Sequence, residues 1–352
     1  MKIPGGLLLS TGILAGLPLS AQTTVLSTDL KLEVGNKRTY LTHRGDITVV
    51  SGLIKSAGGP NHWNFSVGVS DETYTYQILS ASDSPFGSPF PDAGLTELLT
   101  VGSEQAAGAA SGWTFFNLTP EGRELHGFHD LIANPTSPVI QFDAPVVDYP
   151  ATMNYLDQWT GLTSYATSVD LLGTQVPVDV NVTINSFVDS YGTMTLPTLG
   201  TVEVLRINEL SLFDSTASIG VTPVPLGQSY ARSYLWVSRE YGLVAQITSE
   251  GGSQVPPSDF DVASRFLRLS EFIPAARGPV LRTIEHDPDS SAVTVSSTSV
   301  TGQDYILEVS SDLIDWQEQG DPVRATGETI TLVDNLVPVP TGDRYYRVRH
   351  LP

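Results

Sequence analysis

The sequence predicts an all-β protein: a large antiparallel β-sandwich or half-barrel domain followed by a small β-sandwich. Three observations carry this. Runs rich in Val, Ile, Thr and aromatic residues alternate with period two, clusters of Gly, Pro, Asn and Asp separate them, and helical periodicity is nearly absent. A length of 352 residues suits two domains. With 40% hydrophobic residues and 9% aromatics, the chain can build a sizeable core.

The elements follow in chain order. Residues 1–21 read as a signal peptide: Lys2 supplies a positive start, Ile3 to Leu19 is apolar but broken by Gly and Pro, and Leu19-Ser20-Ala21 is a small-residue cleavage site. The mature chain is then exported, with Gln22 first. No later stretch reaches the ~20 apolar residues of a membrane span. Strands are expected at Ile47–Val50, Trp63–Val69, Thr73–Leu79, Val178–Ile184, Val202–Ile207 and Phe266–Ile273. Gly94–Val101 is the one candidate for a short helix. Val202, Val204 and Ile207 are expected to enter the core, which calls for a bulge near Leu205. Asp83–Asp92, Ala106–Gly112 and Gly251–Ser258 read as loops. The large domain takes residues 22–274, a Pro/Gly-bounded linker 275–279, and the small module 280–352.

In the small module, Ala292–Ser296, Asp304–Trp316, Glu328–Asp334 and Arg344–Arg349 read as strands. Tyr305, Leu307 and Val309 share one face, and Tyr346 and Val348 share another. The segments YILEVSSDLIDWQEQ and DRYYRVRHL resemble a C-terminal β-sandwich appended to exported proteins of Verrucomicrobia and related bacteria. That resemblance covers about the last 70 residues and implies an immunoglobulin- or fibronectin III-like sandwich without catalytic residues. In the large domain, GGPNHWNFSVGV, VDSYGTMTLPTLGTVEVLRI and YLWVSREYGLVAQITSE resemble, in order, three signature strands of exported proteins of Bacteroidetes type. Asn64, Ser190 and Val244-Ala245 depart from that pattern. The resemblance implies a location outside the cytoplasm and no chemistry. The strand pattern also resembles, at the level of fold, periplasmic carriers with a half-open β-barrel.

Composition excludes several function classes. The absence of Cys removes disulfide scaffolds, thiol nucleophiles and thiolate metal sites. With 38 acidic and 18 basic residues, net charge −20, the chain has no basic surface for nucleic acid. It has no G-x-S-x-G elbow, phosphate loop or H-E-x-x-H. His126, His129 and Asp130 would approach a metal only if Gly127 bulges, because positions 126 and 129 of a regular strand point to opposite faces. Asp287 and Asp289, or Asp259 and Asp261, offer oxygens to Ca²⁺ without the spacing of a known calcium loop. Trp63, Trp113 and Trp159, with Tyr155, are candidates for a sugar platform or for core packing. Arg344, Arg347 and Arg349, with Arg324, would grip carboxylates or sulfated sugar, or offset Asp312, Asp315 and Glu318. Trp316 is expected in the core of the small sandwich.

The functional expectation is an exported, non-enzymatic module that binds protein or polysaccharide at the cell surface. Two alternatives stand beside it: a periplasmic carrier of an apolar ligand in a half-open barrel, and a polysaccharide hydrolase with an unrecognised carboxylate pair.

Overall fold

Alternation is cleanest where the expected valine strand lies: Val176, Val178, Val180 and Val182 are buried, while the residues between them are exposed. The computed structural model describes residues 23–48, 52–102, 111–132, 138–171, 174–219, 222–275, 279–287, 292–335 and 342–351. The expected signal peptide and Asp289 lie outside the described residues. The chain divides into two units between Ile273 and Pro274. Among the described residues, no helix is long and apolar enough to cross a membrane.

The large unit contains β1 (Val25–Leu26), β2 (Lys37–Thr48), β3 (Gly58–Asn64), β4 (Glu72–Ser80), β5 (Leu95–Val101), β6 (Ser111–Thr119), β7 (Gly122–Asp130) and β8 (Ile140–Pro150). It continues with β9 (Thr152–Met153), β10 (Gln158–Leu171), β11 (Thr174–Leu196), β12 (Gly200–Ile219), β13 (Thr222–Ser238), β14 (Gly242–Ser249) and β15 (Val262–Ile273). One sheet runs in the order β10-β11-β12-β13-β14-β15-β2-β4-β5-β6-β7-β8, with antiparallel neighbours throughout.

Its two end strands lie against one another. Trp159 Nε1 donates to the Asp148 carbonyl at 3.2 Å, Thr163 Oγ1 donates to the Ala144 carbonyl at 2.7 Å, and Ser164 bonds Asp143. These contacts step in opposite directions along β8 and β10, so the sheet curls into a barrel whose seam is made by side chains. β8 carries Pro145 and Pro150, which lack the N–H that a ladder needs.

Gly94–Val101 is a correction. It forms β5, not a helix, because Leu95, Glu97, Leu99 and Val101 turn to one face between β4 and β6. Tertiary pairing overrides the local helix preference of Glu-Leu-Leu. The bulge expected near Leu205 is also displaced. The register shift sits on the partner strand at Asp189, between Val188↔Ile207 and Ser190↔Arg206. β12 stays regular because both its faces are covered. Val204 and Arg206 face one side, with Tyr234 and Trp236 of β13, and Leu205 and Ile207 face the other, with Leu235 and Val237.

The first side is covered by β3, which pairs parallel to β11, the one parallel pairing among the described residues. Trp63 and Phe65 reach Trp236 from there, with ring centroids 5.8 and 5.1 Å away. This approach requires Gly192: its φ is +156°, and a Cβ there would lie 1.9 Å from the Asn61 carbonyl oxygen. Gly192→Ala is therefore expected to lower stability by about 2 kcal/mol or more. Gly252→Ala, in open space, is expected to change little. Urea denaturation of the two variants checks this, and equal midpoints would contradict it.

The small unit contains β16 (Leu281–Asp287), β17 (Ala292–Thr298), β18 (Asp304–Ser310), β19 (Gln317–Arg324), β20 (Thr329–Asn335) and β21 (Tyr345–His350). Two antiparallel sheets form, β16-β17-β20 and β19-β18-β21. Val293, Val295, Ile330 and Leu332 of the first pack on Tyr305, Leu307 and Val348 of the second. Trp316 is a correction: it is half-buried outside this core, with the Arg347 guanidinium 4.3 Å from its ring centroid.

Candidate functional site

Two concavities of the large unit lie on the outer face of β10 to β13. Register sets their floor. Gln158↔Phe187, Phe187↔Asn208 and Asn208↔Tyr234 form one row, and Thr160↔Asn185, Asn185↔Leu210 and Leu210↔Arg232 form the next. Members two residues apart share a face, so Phe187, 36% exposed, stands among the side chains of Gln158, Asn185, Asn208 and Arg232. Arg232 Nη1 donates to Asn208 Oδ1 at 2.7 Å, and its Nε donates to the Pro256 carbonyl at 3.0 Å. Thr160 Oγ1 donates to Asn185 Oδ1 at 2.9 Å. This shallow groove, about 580 Å³, meets a deeper cleft of about 690 Å³ at Phe187 and Asn208, which line both.

The cleft is walled by residues 52–57 on one side and 258–261 on the other. Arg206, 1% exposed, fixes the first wall. Its Nε and Nη2 bond the two Asp189 carboxylate oxygens at 2.8 and 2.9 Å, and its Nη1 bonds the Ile54 carbonyl and, at 3.0 Å, the Lys55 carbonyl. Trp63 Nε1 donates to the same Ile54 carbonyl at 3.1 Å. Beneath the guanidinium lies the Tyr234 ring, 4.7 Å away. Burial raises the Tyr234 pKa against the opposing pull of Arg206. Asp259 and Asp261, candidates for calcium, are exposed on the second wall.

The other expected site residues separate. Trp63 is a core residue, 1% exposed. Trp113 sits half-buried against Phe86 at 6.1 Å, and Trp159 points into the seam, so the three tryptophans do not share a platform. Tyr155 packs on Tyr191 at 5.0 Å. A register shift does occur between Leu125 and Gly127, yet His126, His129 and Asp130 are not gathered. His129 packs edge-on against Phe86 at 4.1 Å, and it lines one pocket together with Asp130 but without His126. Among the described residues, no three His, Cys, Asp or Glu side chains form a group fit for a metal ion. Asp287 is exposed at the end of β16. The arginine stripe is paired, with Glu318 among the expected carboxylates and otherwise with acids that were not expected. Arg347 and Arg349 bond the two oxygens of Glu308 at 2.6 and 2.7 Å, Arg349 also reaches Glu318, and Arg344 lies 2.7 Å from Asp334. Arg324 faces Asp304 at 3.7 Å.

Sequence reasoning missed Arg206, Asp189, Phe187 and Asn208. A signal existed for the first: Arg206 follows Val202 and Val204 at the two-residue step that marks one buried face, and a charge there demands a partner.

The barrel interior carries a second polar set. Arg38 pairs with Glu97, and Arg123 lies 3.4 Å from Asp148. Burial pushes the Asp148 carboxyl up to about 6 against the pull of Arg123. Burial, then the Asp148 charge, pushes Glu209 up to about 7. In the unfolded chain such groups titrate near ~4. The folded protein therefore binds more protons between about pH 4 and 7, and these two groups make stability fall as pH rises across that window. In the small unit the sign reverses. Arg349 and Arg347 hold Glu308 low against desolvation, and the backbone N–H groups of Asp315 and Ile314 hold Asp312 low. That contribution is lost as pH falls below ~4. The melting temperature of the large unit is expected to rise on acidification from pH 8 to 5, and Glu209→Gln to flatten the rise. A flat profile for the parent chain would contradict this.

The chain matches no family model, no curated protein and no solved structure.

Proposed function

We propose that this protein is an exported, non-enzymatic binding module whose large unit holds a stretch of polysaccharide in the outer groove. The observation that carries the reading is the exposed Phe187 set among Gln158, Asn185, Asn208 and Arg232 on a floor of four strands. A sugar ring has an apolar C–H face and a rim of hydroxyls. An aromatic ring suits the first, and planar amide and guanidinium groups suit the second, because they donate and accept in pairs. The groove is open along β10 to β13 and runs into the cleft, which suits a chain. Because Arg206 pins the cleft wall before any ligand arrives, binding requires little ordering.

The carrier alternative needs an interior empty over most of its length. Here Leu30, Leu32, Phe116, Leu205 and Val237 fill one half of the barrel, which favours the outer surface.

Affinity electrophoresis through gels containing neutral and acidic polysaccharides tests the proposal. The parent chain is expected to be retarded by at least one of them. Phe187→Ala, at an exposed site, is expected to weaken that retention about tenfold, the scale of losing one aromatic anchor. Free migration in every gel, or equal retention of Phe187→Ala, would refute the reading.

A further inference from the structure

A row of residues crosses the inner face of the barrel in register: Ser186↔Glu209, Glu209↔Ser233, Ser233↔Thr248, Thr248↔Arg265 and Arg265↔Arg44. It ends on two arginines directly opposite one another on β15 and β2, with their side chains on one face. Like charges at that spacing repel. Among the described residues neither arginine forms an ion pair, while Arg38, Arg123 and Arg206 each have one. This occurs in a chain where acids outnumber bases 38 to 18, so carboxylates were plentiful.

Three acids stand near the pair, and none of them forms an ion pair with either arginine among the described residues. Glu209 faces Arg265 with its ionisation suppressed to about 7. Glu72 lies beside Tyr74, whose hydroxyl is hydrogen-bonded to Arg44, and Asp130 lines the same pocket. Arg44 is exposed at the mouth, and Arg265 is half-buried behind it. Both line a pocket of about 470 Å³ whose other walls include Tyr74, Tyr76, Leu99 and Phe128. Tyr76 and Leu99 are cross-strand partners on the face that carries Arg44. Phe128 stands opposite, backed by Tyr165 and Phe142 at 6.3 and 6.1 Å.

We propose that this inner pocket binds a small organic carboxylate, its head group held between Arg44 and Arg265 and its apolar body laid against Tyr76, Leu99 and Phe128. The site is separate from the outer groove. The anion relieves the repulsion between the arginines, and charge-assisted hydrogen bonds from guanidinium groups to a carboxylate are among the stronger polar contacts. The aromatic and leucine walls exclude a bare inorganic anion as the best fit, because they would remain against water.

Isothermal titration of the full chain with octanoate, 1-octanol and octylammonium separates head group from tail. Octanoate is expected to bind, octanol at least about tenfold more weakly, and octylammonium not at all. Arg44→Gln and Arg265→Gln are each expected to lower octanoate affinity about tenfold. Arg324→Gln, which removes the same charge from the small unit, is expected to leave it unchanged. Without ligand, Arg44→Gln is expected to melt no lower than the parent, because it removes a repulsion at an exposed position; this variant carries the test if Arg265→Gln does not fold. Absence of octanoate binding, equal binding of octanol, or unchanged octanoate affinity in Arg44→Gln would each overturn the proposal.

Discussion

Replacing Arg206 with alanine is expected to cost the large unit about 3–5 kcal/mol, the scale of breaking a buried ion pair from one side. The variant leaves the Asp189 carboxylate, 4% exposed, without its bidentate partner. It also removes the donor shared by the Ile54 and Lys55 carbonyls. Buried acceptors left unsatisfied add to the loss. Arg206→Ala with Asp189→Ala is expected to be no less stable than the single variant, since it leaves no unpaired charge. Urea denaturation reads both. A single variant within about 1 kcal/mol of the parent would show that the pair does not hold the wall.

Trp236→Ala is expected to have a loss of similar size, about 3–5 kcal/mol. Trp236 is 0% exposed and meets Trp63, Phe65 and Tyr234. Truncation leaves a cavity walled by stiff rings that cannot collapse into it. Replacement by phenylalanine separates ring packing from the indole N–H. Trp236 Nε1 is buried with no hydrogen-bond partner among the described residues, so Trp236→Phe removes a desolvated donor and is expected to cost less. Trp63 Nε1 holds the Ile54 carbonyl, so Trp63→Phe is expected to cost more than Trp236→Phe by about 1 kcal/mol, the net worth of one hydrogen bond. The reverse order in thermal melts would contradict this account.

The strands were legible in the sequence because their side chains alternate, and Val176 to Val182 is the plainest case. The position of the bulge was not legible. From one strand, an Arg between Leu205 and Ile207 suggests a break in pattern. The pattern is intact once β3 covers the second face, and that depends on a parallel contact about 130 residues away in the chain. The groove was illegible for a related reason. Phe187, Asn208 and Gln158 are unremarkable singly, and only the register brings them to one row. The tryptophans drew attention by rarity, and rarity reports a large side chain, not where it points. For the arginines of β21 the sequence leaves ligand binding and internal pairing both open, and Glu308 is not legible as their partner because it lies on a strand buried on both faces.

The seam between β8 and β10 has a consequence for the shape of the whole barrel. In a cylinder closed by backbone hydrogen bonds, strand number, tilt and stagger are locked together, and the diameter follows. A sheet joined to itself by Trp159, Thr163 and Ser164 is a rolled leaf whose margins overlap. Its girth is set by what lies inside it, and a different filling requires these side-chain hydrogen bonds to find new partners along the margin, with no backbone ladder to break.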